Sequence, residues 1–178
     1  MVNIIALWSP APYCGKSTVA NIIAQEGYDI VSFAEPMKRM IVVLLLRAGY
    51  SMEEAHHYVR ISKHEPLKRL PGEPTARHLL QTLGTEWGRD HISRDLWTEI
   101  WTYQVQQRRK VVVDDMRHVN EVAAVRKLNG QIWEIQRPGF KPDKSHRSEA
   151  GLPGVQFDRT IVNDGTIDDL AAKVLPLP

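Results

Sequence analysis

"SPAPYCGKST" (Ser9–Thr18) lies between an apolar run and a helical pattern, and its reading decides the fold. Gly15-Lys16-Ser17 is the second half of G-x-x-x-x-G-K-[ST], a loop whose backbone amides cradle phosphates. Pro10 stands where the first glycine of that pattern belongs. Proline holds φ at roughly −65° and has no N–H, so one donor is absent and the turn is entered differently. The donors from Tyr13 to Ser17 remain. Upstream, "VNIIALW" (Val2–Trp8) reads as a buried parallel strand. Downstream, "KSTVANIIAQEG" sets Val19, Ile22 and Ile23 on one helical face and stops at Gly27. A strand, a loop and a helix start in that order gather N–H groups where an anion is favoured. The same residues also admit a second reading, a proline-bearing turn with an incidental lysine.

Working outward, "YDIVSF" (Tyr28–Phe33) is expected as a second strand, and Pro36 opens an apolar helix that runs to Gly49. Ser51 and Glu54 form a capping box for a further helix. Prolines 66, 71 and 74, with basic residues between them, predict a mobile loop over 60–74. Thr75 caps a helix carrying Leu79, Leu80 and Leu83, and Asp95 starts another with Trp97, Ile100, Trp101 and Val105. "KVVVDD" (Lys110–Asp115) is the clearest strand, followed by a helix from about Asn120 to Leu128. "QIWEIQ" and "RTIVN" are the fourth and fifth strands, separated by a polar loop from Arg137 to Gln156, and "TIDDLAAKV" is the last helix. Alternating strands and helices predict an α/β fold, a parallel five-stranded sheet in a three-layer α/β/α arrangement.

Composition narrows the function. A chain of 178 residues with 43% hydrophobic and 25% charged residues suits one soluble globular domain. The net charge of +2 (23 Lys and Arg against 21 Asp and Glu) lacks the surplus expected of a nucleic-acid binder. One cysteine, Cys14, excludes an internal disulfide or a multi-cysteine metal site. The longest apolar run, Met40–Leu46, falls far short of the ~18 residues that span a bilayer. Residues 1–8 lack the basic start of a signal peptide. No membrane partner and a cytoplasmic setting are therefore expected.

Further stretches converge on one family. "SFAEPMKRM" (Ser32–Met40), "HLLQTLGTEWGRD" (His78–Asp90), "VVVDDMRHVNE" (Val111–Glu121), "IQRPGFKPDKSHRSEAGLPG" (Ile135–Gly154) and "IVNDGT" (Ile161–Thr166) occur in order. Together with the loop they resemble the bacteriophage deoxynucleoside monophosphate kinases, a branch of the P-loop nucleoside monophosphate kinase group. The likeness covers almost the whole chain; Pro10 and Ser17 depart from it, and Ser17 restores a standard Mg²⁺ ligand. The resemblance implies a single kinase domain with an acceptor-binding helical part at about 34–108 and a mobile lid at about 137–156. It also implies ATP and Mg²⁺ as cofactors, a deoxynucleoside monophosphate as acceptor, and a homodimer. If phage-encoded, the enzyme would work in the host cytoplasm.

Chemistry fits that implication. The acceptor phosphate is already anionic, with a second pKa of about 6, so transfer needs alignment and charge neutralisation rather than a strong base. The donor phosphates fall to Tyr13, Cys14, Gly15, Lys16, Ser17 and Thr18, and Mg²⁺ to Ser17 with an Asp114 or Asp115 carboxylate at the carboxyl edge of the sheet. Arg117 can grip a phosphate bidentately, and Arg137 neutralises the moving group, with Arg147 as a second candidate. Lys38 lies near a helix start that favours an anion; Gln81 offers an amide to the base, with Arg77 one turn earlier. Pro12, Thr85, Glu86, Asp115 and Glu121 complete the implied acceptor set. Trp97 reads either as a flank for the base or as core beside Ile100 and Trp101. Asn163 and Gly165, in "NDGT", are implied near the adenine, or serve as plain turn chemistry before a capping Thr166. His146, Ser148 and Glu149 match the pattern without an assignable task. A dephospho-coenzyme A kinase and a non-catalytic nucleotide sensor are the alternatives, and the preferred base is not encoded in any motif.

Overall fold

The computed structural model describes residues 2–140 and 152–177. Among them five strands form one parallel sheet: β1 (Asn3–Trp8), β2 (Asp29–Ile30), β3 (Lys110–Val113), β4 (Gln131–Gln136) and β5 (Arg159–Val162), in the order β2-β3-β1-β4-β5. The chain folds as two compact units, Met1–Phe33 with Thr98–Pro178, and Ala34–Trp97.

The first unit is built on strand alternation. Ile5 and Leu7 of β1 point to one face, where they meet Val19, Ile22 and Ile23 of helix α1 (Lys16–Gln25) and Leu170 and Val174 of α7 (Ile167–Val174). Ile4 and Ala6 point to the other, against Trp101 and Val105 of α5 (Leu96–Val105) and Val125 of α6 (Val119–Lys127). Covered on both faces, the central strands need apolar residues at nearly every position, which is why they read as continuous runs. This is the expected α/β architecture. Trp101 packs on Phe33 and donates its indole N–H to the Val31 carbonyl at 3.0 Å. Those contacts tie α5 to the sheet, and the second unit ends at Trp97.

Strand β2 is shorter than the expected Tyr28–Phe33. Val31 N–H still reaches the Val112 carbonyl at 3.0 Å, but beyond it side chains intercept the backbone. The Ser32 hydroxyl donates to Asp114 at 2.7 Å, and the Phe33 N–H donates to Asp115 at 2.9 Å. Two carboxylates from the end of β3 thus terminate β2 and are themselves anchored.

The second unit contains α2 (Glu35–Arg47), α3 (Met52–Arg60) and α4 (Ala76–Thr82), continued by a π-helical segment, Leu83–Ile92. Ile41, Val42, Leu45, Tyr50, Ala55, Val59, Leu67 and Ala76 form its core. The 60–74 stretch, expected as a mobile loop, is closed on itself: Leu67 is buried, its N–H bonds the Pro74 carbonyl at 2.9 Å, and Pro66 bridges to Thr75. The π-helical turn was not expected. Ser93 N–H bonds Gly88 O five residues back, at 2.9 Å. The glycines of this segment admit bulky neighbours: a methyl group at Gly88 would lie 2.5 Å from Trp97 Nε1.

The Ser51–Glu54 capping box is present as expected. The Ser51 N–H, assisted by Arg69, holds the Glu54 carboxyl below its ordinary range. A carboxyl depressed in the folded state stabilises at neutral pH, and that contribution disappears as pH falls through its folded pKa. Glu54→Gln should therefore lose less thermal stability than the parent between neutral pH and pH values below about 4, read as a smaller drop in Tm.

Candidate active site

Ala6 of β1 lies beside Val113 of β3, and Trp8 lies beside Glu134 of β4. The loop after β1 and the carboxylates after β3 therefore share the C-terminal edge of the sheet, where the strand order reverses about β1 and ligands bind in such folds.

The loop is organised by its carbonyls. The Ser9 hydroxyl donates to the Ala11 carbonyl at 2.7 Å, the Asn163 amide to the Cys14 carbonyl at 3.0 Å, and Arg137, in a long contact of 3.4 Å, to the Tyr13 carbonyl. The Gly15 carbonyl accepts Val19 N–H at 2.9 Å. In a trans peptide the C=O and the following N–H point opposite ways. Holding the Tyr13 and Cys14 carbonyls therefore turns the Cys14 and Gly15 N–H groups to the other side. The Ala11 carbonyl precedes Pro12, which has no N–H to turn. Past them begins α1, whose N-cap Gly15 makes no side-chain cap bond and whose first turn carries no acidic residue, so its positive end favours an anion.

Pro10 does not prevent this arrangement, because Ser9 organises the start of the loop with its side chain. The Lys16 ammonium donates to that same Ser9 hydroxyl, which holds the cation across the loop. Gly15 has φ +99°, and a Cβ there would lie 2.5 Å from Asn163 Nδ2. Tyr13 has φ +60° and a side chain 75% exposed, a left-handed conformation costing on the order of 1–3 kcal/mol for such a residue. The Cys14 side chain is 1% exposed within the core; its backbone alone is available. Ser17 is exposed at the helix start, with Thr18 half-buried beside it and Pro12 exposed before the turn.

At β3, Asp114, Asp115 and Arg117 are half-buried. Glu121, expected to touch the acceptor, is 3% exposed and accepts the backbone N–H groups of Arg117 at 2.6 Å and His118 at 3.0 Å. It caps α6 and fixes the backbone that carries Arg117. After β5, Gly165 is exposed, and Thr166 caps α7 as expected.

In the second unit, Lys38 is half-buried in the first turn of α2, and Arg77 and Gln81 are half-buried one turn apart on α4. Thr85 is 4% exposed, and Glu86 is exposed. Of its two readings, Trp97 takes the core one. It is 2% exposed, donates its indole N–H to the Gly84 carbonyl at 2.8 Å and packs against Gly88. Its ring is buried and its indole N–H is taken by the π-helical turn, so it is core. Most of the expected lid, with His146, Arg147, Ser148 and Glu149, lies outside the described residues. Sequence reasoning missed Ser9 and Ser32. Their only signal was position, each a hydroxyl beside a residue already singled out.

A family described as "Deoxynucleotide monophosphate kinase" matches residues 50–174. A protein of Acanthamoeba polyphaga mimivirus, named provisionally for the same activity, is 28% identical over 176 residues, 90% of this chain and 89% of that protein. The deoxynucleotide monophosphate kinase of Enterobacteria phage T4 is 27% identical over 128 residues, 68% of this chain but 53% of that protein. The crystal structure of TT1252 from Thermus thermophilus matches with a TM-score of 0.53 over 98% of this chain and 94% of that one, at 15% identity, a likeness of fold alone. No helix among the described residues is long and apolar enough to cross a membrane.

Proposed function

Because the chain belongs to the deoxynucleotide monophosphate kinase family, we propose that it transfers the terminal phosphoryl group of ATP to a deoxynucleoside 5′-monophosphate, releasing ADP and the diphosphate for viral DNA synthesis. The observation that carries this reading is the loop after β1, whose carbonyls are held by Ser9, Arg137 and Asn163 while Lys16 lies across it.

Each group has a task within this reading. The amides from Cys14 to Thr18 bind the β- and γ-phosphate oxygens, and Lys16 exchanges the Ser9 hydroxyl for a phosphate oxygen when ATP arrives. Mg²⁺ fits the donor set of one hydroxyl, Ser17, and a carboxylate at the end of β3, since this ion takes one or two carboxylates together with phosphate oxygens. It would neutralise charge on the phosphates when bound. Asp115 and Asp114 are kept in place by the Phe33 N–H and the Ser32 hydroxyl. Arg137, already beside the loop, balances charge on the transferring group. Arg117 takes the acceptor phosphate, with Glu121 fixing its backbone. Lys38, Arg77, Gln81, Thr85 and Glu86 are assigned to the acceptor, while Asn163 and Gly165 border the donor nucleotide. A homodimer, no nucleic-acid partner and a host-cytoplasmic setting belong to the same reading.

The test supplies ATP and Mg²⁺ with dGMP, dTMP, dCMP, dAMP or a modified pyrimidine monophosphate in turn. ADP should form rapidly with at least one acceptor and slowly without any. Saturable ATP binding with no ADP formed from any of the five would contradict transfer and favour a nucleotide sensor.

A further inference from the structure

Asn163 is the first residue past β5, two strands away from β1, yet its side chain lies against the loop that follows β1. Its backbone N–H bonds the Gln136 carbonyl at the end of β4 at 2.8 Å, which ties it to the sheet. Its side-chain amide donates to the Cys14 carbonyl at 3.0 Å, and its Nδ2 lies 2.5 Å from the position a Cβ on Gly15 would take. The side chain therefore fills the space left by the missing one at residue 15 and grips the peptide just before it.

That peptide is the vulnerable one. A glycine crosses φ/ψ space at little steric cost, so the Cys14–Gly15 unit can flip and exchange the directions of its C=O and N–H. Flipped, it would present a carbonyl oxygen where the loop must present a donor to phosphate. Gly15 itself bears no side chain to oppose this. We propose that Asn163 is a positioning residue for the phosphate loop: its amide latches the Cys14 carbonyl, keeps the Gly15 N–H directed into the cradle, and thereby sets affinity for the donor triphosphate. This deepens the kinase reading and rests on it for the identity of the anion, although the latch itself is a property of the chain alone.

Cys14 offers a readout without nucleotide. It is the one cysteine of the chain and is 1% exposed, so a neutral dithiodipyridine reagent reports how often the loop opens. Asn163→Ala removes the donor; Asn163→Asp keeps the shape but at neutral pH sets a carboxylate against a carbonyl. In both variants Cys14 should react faster than in the parent, and KM for ATP should rise about 3- to 10-fold, the worth of one ordinary hydrogen bond. KM for the acceptor should stay near the parent value. An isosteric Asn163→Asp with unchanged thiol reactivity and unchanged KM for ATP would overturn the latch, as would equal rises in the KM of both substrates. If Asn163→Ala unfolds, Asn163→Asp alone decides. Faster thiol reaction in a chain that makes no ADP from any acceptor would uphold the latch and sink the kinase reading. Normal turnover with unmoved Cys14 kinetics would do the reverse.

Discussion

Lys16→Ala lowers kcat by about 10³-fold or more, the scale of losing one preorganised charge from a phosphoryl-transfer site, and leaves Tm close to that of the parent. Both halves of this expectation follow from where the side chain lies. Lys16 is the first residue of α1 and half-buried, and its ammonium rests on the Ser9 hydroxyl rather than in the core. The buried face of the helix belongs to Val19, Ala20, Ile22 and Ile23, so truncation at position 16 opens no cavity. The catalytic loss is large because the cation must follow charge as it shifts between the β- and γ-phosphates, which fixed amides cannot do. Lys16→Arg should not rescue, since a planar fork replaces a compact ammonium. Ser9→Ala should cost much less, because it removes a resting place for the ammonium and one carbonyl tether. Steady-state ADP formation and a thermal melt separate these outcomes. A Lys16→Ala enzyme with parental kcat would remove the loop from the chemistry.

The second large effect is expected at the end of β3. Asp115→Asn should reduce kcat by about 10²-fold and raise the Mg²⁺ concentration needed for half-maximal rate, on the scale of several kcal/mol that metal ions contribute to phosphoryl chemistry. The amide oxygen can still accept the Phe33 N–H that Asp115 now takes at 2.9 Å, so the exit from β2 stays anchored and stability changes little. Asp115→Ala loses charge and anchor together and should also lower Tm. Asp114→Asn keeps an acceptor for Ser32 and serves as the control for the alternative carboxylate. If Asp114→Asn shifts the Mg²⁺ dependence and Asp115→Asn does not, the assignment passes to Asp114.

How far the sequence reached depended on how local each cause was. β1, the loop and α1 were legible because their signals are contiguous: an apolar run, a glycine at the turn, and helical spacing behind it. The capping box at Ser51 and the cap at Thr166 are legible for the same reason. β2 was read too long because its end is decided by Asp114 and Asp115, 82 residues away in the chain. The π-helical turn was invisible, since it depends on two glycines and on the Trp97 indole packing against Gly88. Without that contact, Trp97 reads either as a base flank or as core. Glu121 and Asn163 read as ligand contacts within their motifs; in the structure the Glu121 carboxylate accepts the N–H groups of Arg117 and His118, and the Asn163 amide donates to the Cys14 carbonyl. A polar residue in a motif can serve by touching the ligand or by aiming its neighbour, and only geometry distinguishes the two.

The most direct test of the inward-facing loop is an amide ¹⁵N–¹H titration with a non-hydrolysable ATP analogue. The N–H signals of Cys14 to Thr18 should move most, shifting downfield as they take up phosphate oxygens. Saturable binding that leaves those five signals still, while amides elsewhere on the chain move, would contradict a phosphate cradle in this loop.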